Sequence, residues 1–460
     1  MLARRLSSLL GAPLLVLAGC GGPGESTPAP LPDDGNATAS AAEVSVYRNF
    51  TLIDGTGGAA VPSSAMIVED GRIVWVGRDA EVQVPAGAVE VPLDDRYVIP
   101  GLIDLHVHLS VLEDLAFNHQ AFTRENVERE LGIYASYGVT TVLTQGTDKD
   151  LIYAFAREQR SGRPTVARVY TAGQGIVFEN GYGGVAGIND PVASPEEAAQ
   201  AVARQAANGA DIVKLWVDDE LGTMPKMPPE ISRAAIEAAH QHGLRAVAHI
   251  FYLEDAKRLV AQGIDGLVHS VRDQAVDAEL LEAMKANGTW QASMTLSREA
   301  AMLAYAERAP FLDDPFFARA VAPEVIERLG SDEYQERVRS GPHFHEFGPI
   351  LERAKANAKA VVDGGVEYAF GTDSGPPGRF PGYSAHWELE LLVEAGLTPA
   401  QALASATGRA ARFLEADDLG VLEAGRWADF VVLSANPLEN VSNTRAIEAV
   451  YIAGRQFEER

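Results

Sequence analysis

The chain has 460 residues, 47% of them hydrophobic and 22% charged, so it can bury a large core and does not resemble a disordered acidic polymer. A formal net charge of −26 argues against nucleic acid or an anionic lipid surface as a partner. The single cysteine, Cys20, excludes an intramolecular disulfide.

A targeting segment and a linker are predicted at the start of the chain. Residues 1–20 have a basic beginning, an apolar stretch too short to span a bilayer, and the ending Leu-Ala-Gly-Cys. This ending resembles the bacterial lipobox, which implies a lipoprotein signal peptide, lipidation of Cys20 and anchoring to a membrane outside the cytoplasm. An ordinary signal peptide that contains a cysteine is the alternative. Residues 21–42 are rich in Gly, Pro and small polar residues, which is typical of a flexible linker.

Both ends of the remaining chain are rich in β-strand patterns. Short β-runs broken by Gly and Pro fill residues 43–99, and "EDGR" between two of them predicts a hairpin turn. The segment 419–460 has the same character. We therefore expect the two segments to form one small β-sandwich domain.

The middle, residues 100–418, alternates between apolar strand-like runs and helical patterns such as "SPEEAAQAVARQAANG". Eight such alternations predict an α/β fold, a (β/α)8 TIM barrel. The long gap at about 297–363 has helical patterns of its own and predicts an inserted subdomain or lid. The strand-like runs are "LIDLHVH", "VTTVLTQG", "ARVYTAG", "DIVKLWV", "LRAVAHIF", "DGLVHSV", "TWQASMTL" and "EYAFGTD".

Polar residues lie late in several of these runs. His106 and His108 are two apart, so they share one face of a strand, and two neutral imidazoles there can bind a metal ion. His249, His269 and Asp373 occupy comparable positions in later strands. Hydrogen-bonded core histidines are the alternative for each residue alone, but the whole set predicts a metal centre at the mouth of the barrel.

Lys214 lies in the apolar run "DIVKLWV". If it points into the barrel, its ammonium would be buried near a cationic centre, which is unfavourable by several kcal/mol. Reaction with CO2 would give a carbamate with a negative charge and two oxygens that can bridge two divalent ions. The alternative is a lysine that extends past the strand end.

The motifs "PGLIDLHVH", "DIVKLW", "AVAHIF", "GLVHS" and "FGTDSG", with the segment from "LTPAQALASATGRAARF" onward, resemble the amidohydrolase superfamily. The resemblance covers nearly everything from Val44 and favours the imidazolonepropionase-like and prolidase-like branch, which implies a barrel with a small β-sandwich. It departs from that branch in the loop of residues 171–190, which lacks the histidine of many relatives.

The resemblance implies a role for each motif residue. His106, His108 and Asp373 would bind the more buried of two divalent ions, with zinc the expected metal, and His249 and His269 would bind the second. Carbamylated Lys214 and a hydroxide would bridge them, and Asp373 would accept the proton of the attacking water. Tyr252, three residues after His249, and His386, after the last strand, are candidates for substrate binding. His386 could equally be a surface histidine on a helix, and His343 and His345 are expected in the lid.

The sequence therefore predicts a metal-dependent hydrolase of carbon–nitrogen bonds that cleaves a small peptide-type amide, either a dipeptide or an N-acyl amino acid. Hydrolysis of a cyclic amide or lactone, a one-metal deaminase with unmodified Lys214, and a solute-binding lipoprotein without catalysis are the alternatives. The substrate, the metal and the oligomeric state, a homo-oligomer included, stay open.

Overall fold

A computed structural model of the chain describes residues 43–113, 115–183 and 188–458. The predicted signal peptide with Cys20 and the predicted linker lie outside the described residues. Within the described part, no helix combines the length and the apolar character that crossing a bilayer requires.

The two chain ends contribute to one eight-stranded mixed sheet. Its strands are β1 (Val44–Leu52), β2 (Val61–Glu69), β3 (Arg72–Arg78), β4 (Val89–Pro92), β5 (Tyr97–Pro100), β17 (Phe430–Leu433), β18 (Ile447–Ile452) and β19 (Arg455–Gln456). Their spatial order is β19-β18-β17-β5-β1-β2-β3, and β4 pairs with β1. The predicted hairpin is confirmed, because β2 and β3 pair antiparallel across a turn in which Asp70 and Gly71 both have positive φ.

Seven parallel strands and one extended segment form the barrel. The strands are β6 (Leu102–Val107), β9 (Val139–Thr144), β10 (Arg168–Thr171), β13 (Ile212–Val217), β14 (Arg245–Ile250), β15 (Gly266–Val268) and β16 (Trp290–Ser293). Short strands flank two of them: β7 (Leu112–Glu113), β8 (Ala116–Phe117), β11 (Ile176–Phe178) and β12 (Asp190–Val192).

The segment 367–374 closes the ring between β16 and β6. On one side Ala369 N donates to Gln291 O, and on the other Leu105 N donates to Phe370 O, each at 2.9 Å. The eighth strand-like run therefore does occupy the eighth place, although its pairing is limited to isolated bridges. The predicted (β/α)8 barrel is confirmed.

Helices follow the barrel strands, and sequence signals mark their ends. Helix α3 (Pro195–Asn208) is capped at its start by Ser194, whose side chain accepts from Glu197 N, and at its end by Gly209, with φ 96°. The helices are α1 (Arg124–Ser136), α2 (Leu151–Arg160), α3 (Pro195–Asn208), α4 (Pro229–Gln241), α5 (Leu253–Ala261), α6 (Ala278–Asn287), α7 (Leu296–Ala304), α8 (Pro315–Ala318), α9 (Pro323–Leu329), α10 (Asp332–Arg339), α11 (Phe347–Asp363), α12 (Tyr383–Glu394), α13 (Pro399–Ser405) and α14 (Gly408–Phe413).

The segment 297–363, predicted as an insertion, contains most of α7 and the helices α8 to α11. Helices α8 to α10 pack in a hydrophobic cluster of their own, which includes Phe317, Leu329 and Tyr334. Tyr137 and Tyr383 join this cluster from the barrel side. His345, between α10 and α11, is exposed.

Candidate metal centre

The carboxyl ends of the barrel strands bring five of the predicted residues into one buried group: His106, His108, Lys214, His269 and Asp373. His108 Nε2 lies 3.0 Å from Asp373 Oδ1, and His106 Nε2 lies 3.6 Å from the same oxygen. One ligand atom each of His106, His269 and Asp373 lies within 4.8 Å of the others. Residues separated by up to 267 positions in the sequence thus meet at one point, as the barrel topology predicts.

Hydroxyl groups hold three of these imidazoles in place. The Nδ1 atoms of His106, His108 and His269 lie 3.2, 2.9 and 2.5 Å from the hydroxyl oxygens of Ser293, Thr147 and Thr295 respectively. This leaves the Nε2 atom of each ring directed towards the group. Hydrogen bonds to the second ring nitrogen are what orient metal-ligating histidines in proteins.

The backbone is strained at two of these positions. His269 has φ 70° and Asp373 has φ 58°, in the left-handed region that side chains other than glycine seldom adopt. Such conformations persist where the surrounding structure over-determines them, and they cluster at functional sites.

Lys214 points into the barrel, as the alternation within its strand predicts. Its Nζ donates to Gln145 Oε1 at 2.8 Å, lies 3.2 Å from His106 Nε2 and lies 4.8 Å above the ring of Trp216. Burial lowers the pKa of Lys214 to about 7, and the charge of Asp373 opposes this only in part. A substantial fraction of the amine is therefore neutral near pH 7.

His249 differs from the expectation in its orientation. Its Nε2 pairs with Asp218 Oδ2 at 2.8 Å, so Nδ1 is the ring nitrogen left for another partner. Its ring lies beside that of His269, with the centroids 4.2 Å apart. Asp218 directly follows the strand of Lys214, and its position at a strand end is the signal that could have identified it.

The charge states of the group suit metal binding. Burial lowers the pKa of His106, His108 and His269 below its ordinary value, and lowers that of His249 to about 4, so the rings are neutral at pH 7. Burial alone would raise the pKa of Asp373, but Arg379 and the imidazoles outweigh it and hold that pKa well below its ordinary value. Neutral imidazoles and an ionised carboxylate are the forms that bind metal ions.

His106, His108, His269 and Asp373 line a cavity of about 320 Å³ whose wall also contains residues that the sequence did not single out. Arg379 Nη1 donates to Asp373 Oδ2, and Arg298 Nε lies 3.9 Å from the same oxygen. Arg298 Nη2 also donates to the Tyr182 hydroxyl at 3.2 Å. Asp373 therefore presents Oδ1 to the imidazoles and Oδ2 to the arginines.

Two predicted substrate-binding residues lie elsewhere. His386 is wrong as a cavity residue: it is buried, with Nδ1 2.9 Å from Thr444 Oγ1 and Nε2 2.9 Å from the Tyr137 carbonyl oxygen, and its ring packs on Phe316. Tyr252 does not line the cavity either, and its hydroxyl donates to Asp219 Oδ1 at 2.7 Å. The face of α12 that carries His386 packs on the chain-end segment and the inserted helices, which the sequence pattern does not reveal.

The donor set fits a divalent transition metal. Imidazole nitrogens with a carboxylate oxygen suit Zn, Mn and Co. The rings are buried and neutral, and three of them are already anchored through Nδ1, so the geometry needs little rearrangement to accept an ion.

A family model described as the amidohydrolase family matches residues 97–457. The chain belongs to the amidohydrolase family. Membership confirms the resemblance of its motifs and identifies the chain as a hydrolase of carbon–nitrogen bonds that acts on small molecules.

Individual relatives agree with this assignment. An imidazolonepropionase from Deinococcus radiodurans is 26% identical over 431 residues, which cover 86% of this chain and 92% of the relative. A solved Xaa-Pro dipeptidase with methionine in its active site has a TM-score of 0.69 at 23% identity, over 90% of this chain and 100% of that chain. An ochratoxinase from A. niger has a TM-score of 0.71 at 21% identity, over 91% and 96%. These two structures show the same fold.

Proposed function

We propose that this amidohydrolase cleaves a peptide-type amide, a dipeptide or an N-acyl amino acid, with two divalent metal ions. The observation that carries the proposal is the meeting of His106, His269 and Asp373 within 4.8 Å in a cavity that two arginines also line. A site that only bound a solute would not need neutral imidazoles, an ionised carboxylate and a buried lysine at one point.

Two ions are favoured over one by the number and placement of the donors. His106, His108 and Asp373 would hold one ion, and His249 and His269, whose rings are adjacent, would hold the second. Zinc is the expected metal. Lys214, 3.2 Å from His106 Nε2, would join the two as a carbamate. Carbamate formation requires a neutral amine, and a pKa of about 7 supplies it.

Divalent ions bound here would supply a water of lowered pKa and polarise the substrate carbonyl. The residues of the chain perform the remaining tasks. Asp373, ionised at neutral pH, can take a proton from the attacking water and transfer it to the leaving nitrogen. The buried surroundings of Asp373 strengthen every electrostatic interaction with the developing charge.

The cavity favours an anionic amide of modest size. Arg298 and Arg379 provide cationic groups beside Asp373, and a volume of about 320 Å³ fits a dipeptide or a small N-acyl amino acid better than a long peptide. The Xaa-Pro dipeptidase of the same fold binds methionine, an amino acid, in its active site.

A hydrolysis screen tests the proposal. The zinc-loaded chain is assayed against a library of dipeptides and N-acyl amino acids, with and without a chelator. We expect hydrolysis that the chelator abolishes and that Asp373→Asn reduces by about 10³-fold or more. His345→Ala, a change at an exposed histidine, is the control and should retain activity. Hydrolysis that persists after the metal is removed would refute the metal-dependent mechanism.

Cyclic amide hydrolysis is the second candidate function, because the relative from Deinococcus radiodurans is an imidazolonepropionase. Imidazolonepropionate-like cyclic amides and lactones are therefore added to the same screen. Turnover of these compounds without turnover of any linear amide would replace the first proposal with this one.

We also propose that Cys20 is lipidated and anchors the enzyme to a membrane in the cell envelope, on the strength of the Leu-Ala-Gly-Cys ending. Cys20→Ala should move the protein from the membrane to the soluble fraction in a bacterial host. An unchanged membrane fraction would contradict lipidation at this residue.

A further inference from the structure

We propose that Arg298 binds the α-carboxylate of the substrate and makes the enzyme selective for amides that end in a free carboxylate. This inference rests on the proposed hydrolysis of dipeptides or N-acyl amino acids, which all end in a free carboxylate, and Arg298 would distinguish them from amides that lack it.

Arg298 is placed to meet a substrate beside the reacting groups. It lies in the first turn of α7, directly after the seventh barrel strand, and its side chain keeps 25% of its surface exposed. It lines the same cavity as His249, His269 and Asp373. Its Nε lies 3.9 Å from Asp373 Oδ2, close enough for one small molecule to span both groups.

Arg298 belongs to a buried ion network in which guanidinium groups outnumber carboxylates. Glu299 is almost fully buried, and its Oε1 accepts from Arg298 Nη1 at 2.6 Å and from Arg272 Nη1 at 2.7 Å. Arg272 is buried too, and its Nη2 donates to the Ile250 carbonyl oxygen. One carboxylate thus serves two guanidinium groups. With Asp373 and Arg379 included, three guanidinium groups share two carboxylates, so the formal net charge of the network is about +1. Uncompensated buried charge is unfavourable, and an anionic ligand would relieve it.

Arg298 is the member of this network that can reach a ligand. Arg272 is closed off from solvent, whereas Arg298 forms part of the cavity wall. Its Nη2 has a phenol, Tyr182, as its partner instead of an anion. A planar guanidinium matches the two oxygens of a carboxylate and binds them more strongly than it binds a neutral group.

Arg379, the other arginine in the wall, is less suited to this role. Its Nη1 donates directly to Asp373 Oδ2, and its side chain is 13% exposed, about half the exposure of Arg298. Arg379 is therefore already hydrogen-bonded to the Asp373 carboxylate, which Arg298 only approaches. Arg298 shares its nearest carboxylate with a second arginine and is the better anchor for a new anion.

The position of Arg298 is fixed by contacts at the start of its helix. Thr295, with φ 54°, makes no capping bond to the helix, and Glu388 supplies the acceptors instead. The Glu388 carboxylate accepts from Leu296 N at 2.9 Å and from Ser297 N at 2.7 Å. Because these contacts fix the start of α7, Arg298 loses little conformational entropy when a ligand binds, which favours selectivity.

The experiment compares binding of an acid with binding of its neutral amide. The zinc-loaded full chain is titrated calorimetrically with 3-benzoylpropionate, a ketone analogue of N-benzoylglycine that has no scissile C–N bond, and with 3-benzoylpropionamide, its neutral amide. We expect the acid to bind at least tenfold more tightly, and Arg298→Met to remove this preference while leaving the affinity for the amide unchanged. Arg298→Lys keeps a positive charge but not the planar fork, so it should restore part of the preference. Metal content and thermal unfolding are measured for every variant.

Arg308→Met is the matched control, because Arg308 is half exposed and pairs with Asp313 on the surface. It should keep the full preference. On the best substrate of the hydrolysis screen, Arg298→Met should lower kcat/KM for the free acid about 10²-fold relative to the corresponding C-terminal amide.

The binding measurements test the role of Arg298, whereas the turnover measurements test the proposed function. Equal affinities for acid and amide in the parent, no measurable binding of either, or a preference that survives in Arg298→Met contradicts the role of Arg298. If the parent prefers the acid, Arg298→Met does not, and the chain hydrolyses no amide, the result supports carboxylate binding by Arg298 and refutes the proposed hydrolysis.

Discussion

Lys214 is an amine held among imidazoles, and its burial destabilises the metal-free fold. Its pKa falls from an ordinary value of 10.5 to about 7, mainly because burial disfavours the ammonium. Between these two values the unfolded chain binds a proton that the folded chain does not. The stability of the metal-free protein therefore rises as the pH increases from about 7 to about 10.5.

Lys214→Met tests whether the buried amine lowers the stability of the metal-free protein and is required for activity. In chelator, we expect the variant to be more stable than the parent by a few kcal/mol below pH 7, with an advantage that shrinks towards pH 10. The same variant should lose hydrolysis almost completely. Urea denaturation at pH 6.5 and 9.5 measures the difference, and an advantage equal at both pH values would contradict the buried ammonium.

His386 is a structural residue, and its removal should show this. Both ring nitrogens are hydrogen-bonded and the ring is buried against Phe316. We expect His386→Ala to lower the free energy of unfolding by about 2–4 kcal/mol, because it leaves a cavity and unpaired polar groups. KM and kcat of the folded enzyme should stay within twofold. A large increase in KM with unchanged stability would restore a substrate-binding role.

The direction of a side chain could be predicted where strand alternation sets it, but not where the packing of a helix sets it. His106, His108 and Lys214 were predicted correctly as inward-facing because side chains two apart share a face of a strand. Arg298 lies on a helix, and which face of that helix meets the cavity depends on packing that the sequence does not encode locally. His386 was misplaced for the same reason.

At the scale of elements, the start of α7 depends on a carboxylate from another helix. Thr295 faces His269, so Glu388 on α12 accepts the bonds of the first helical N–H groups. Burial raises the pKa of Glu388 from 4.5 to about 7, although the N–H groups of Ser297 and Leu296 oppose this. Between these values the folded chain binds a proton that the unfolded chain does not. Ionisation of Glu388 is therefore less favourable in the folded chain than in the unfolded chain, and the free energy of unfolding falls as the pH rises from about 4.5 to about 7.

Glu388→Gln removes the titration but keeps one acceptor oxygen. We expect the stability of the variant relative to the parent to increase by on the order of 1–3 kcal/mol between pH 5 and pH 8. Glu394→Gln, at the exposed end of the same helix, is the control and should show no such trend. Thermal unfolding at both pH values measures the effect, and parallel behaviour of the two variants would contradict it.

At the scale of the whole molecule, a buried ion pair joins the barrel to the sheet built from the chain ends. Arg168, at the start of β10, donates from Nε to Asp429 Oδ2 at 2.8 Å, and Ala453 N donates to Asp429 Oδ1 at 2.6 Å. Both charged side chains are less than a tenth exposed. The β-rich patterns of both ends predicted a shared domain, but the partners in this pair, 261 positions apart, could not be identified from sequence.

Loss of this ion pair should lower the free energy of unfolding without changing the geometry of the active site. We expect Asp429→Asn to reduce the free energy of unfolding by about 3–5 kcal/mol, the typical loss for a broken buried pair. Glu367→Gln, which breaks exposed pairs with Arg409 and Arg412, should cost less than about 1 kcal/mol. Urea denaturation compares the two, and similar losses would contradict the importance of the buried pair.

We have proposed that the strand ends of one barrel hold two divalent ions joined through Lys214. Metal analysis of the chain, loaded with zinc and bicarbonate and then desalted, tests it most directly. We expect about two zinc ions per chain in the parent and at most one in Lys214→Ala. A parent chain without bound zinc, or a Lys214→Ala variant that keeps two ions and full activity, would contradict it.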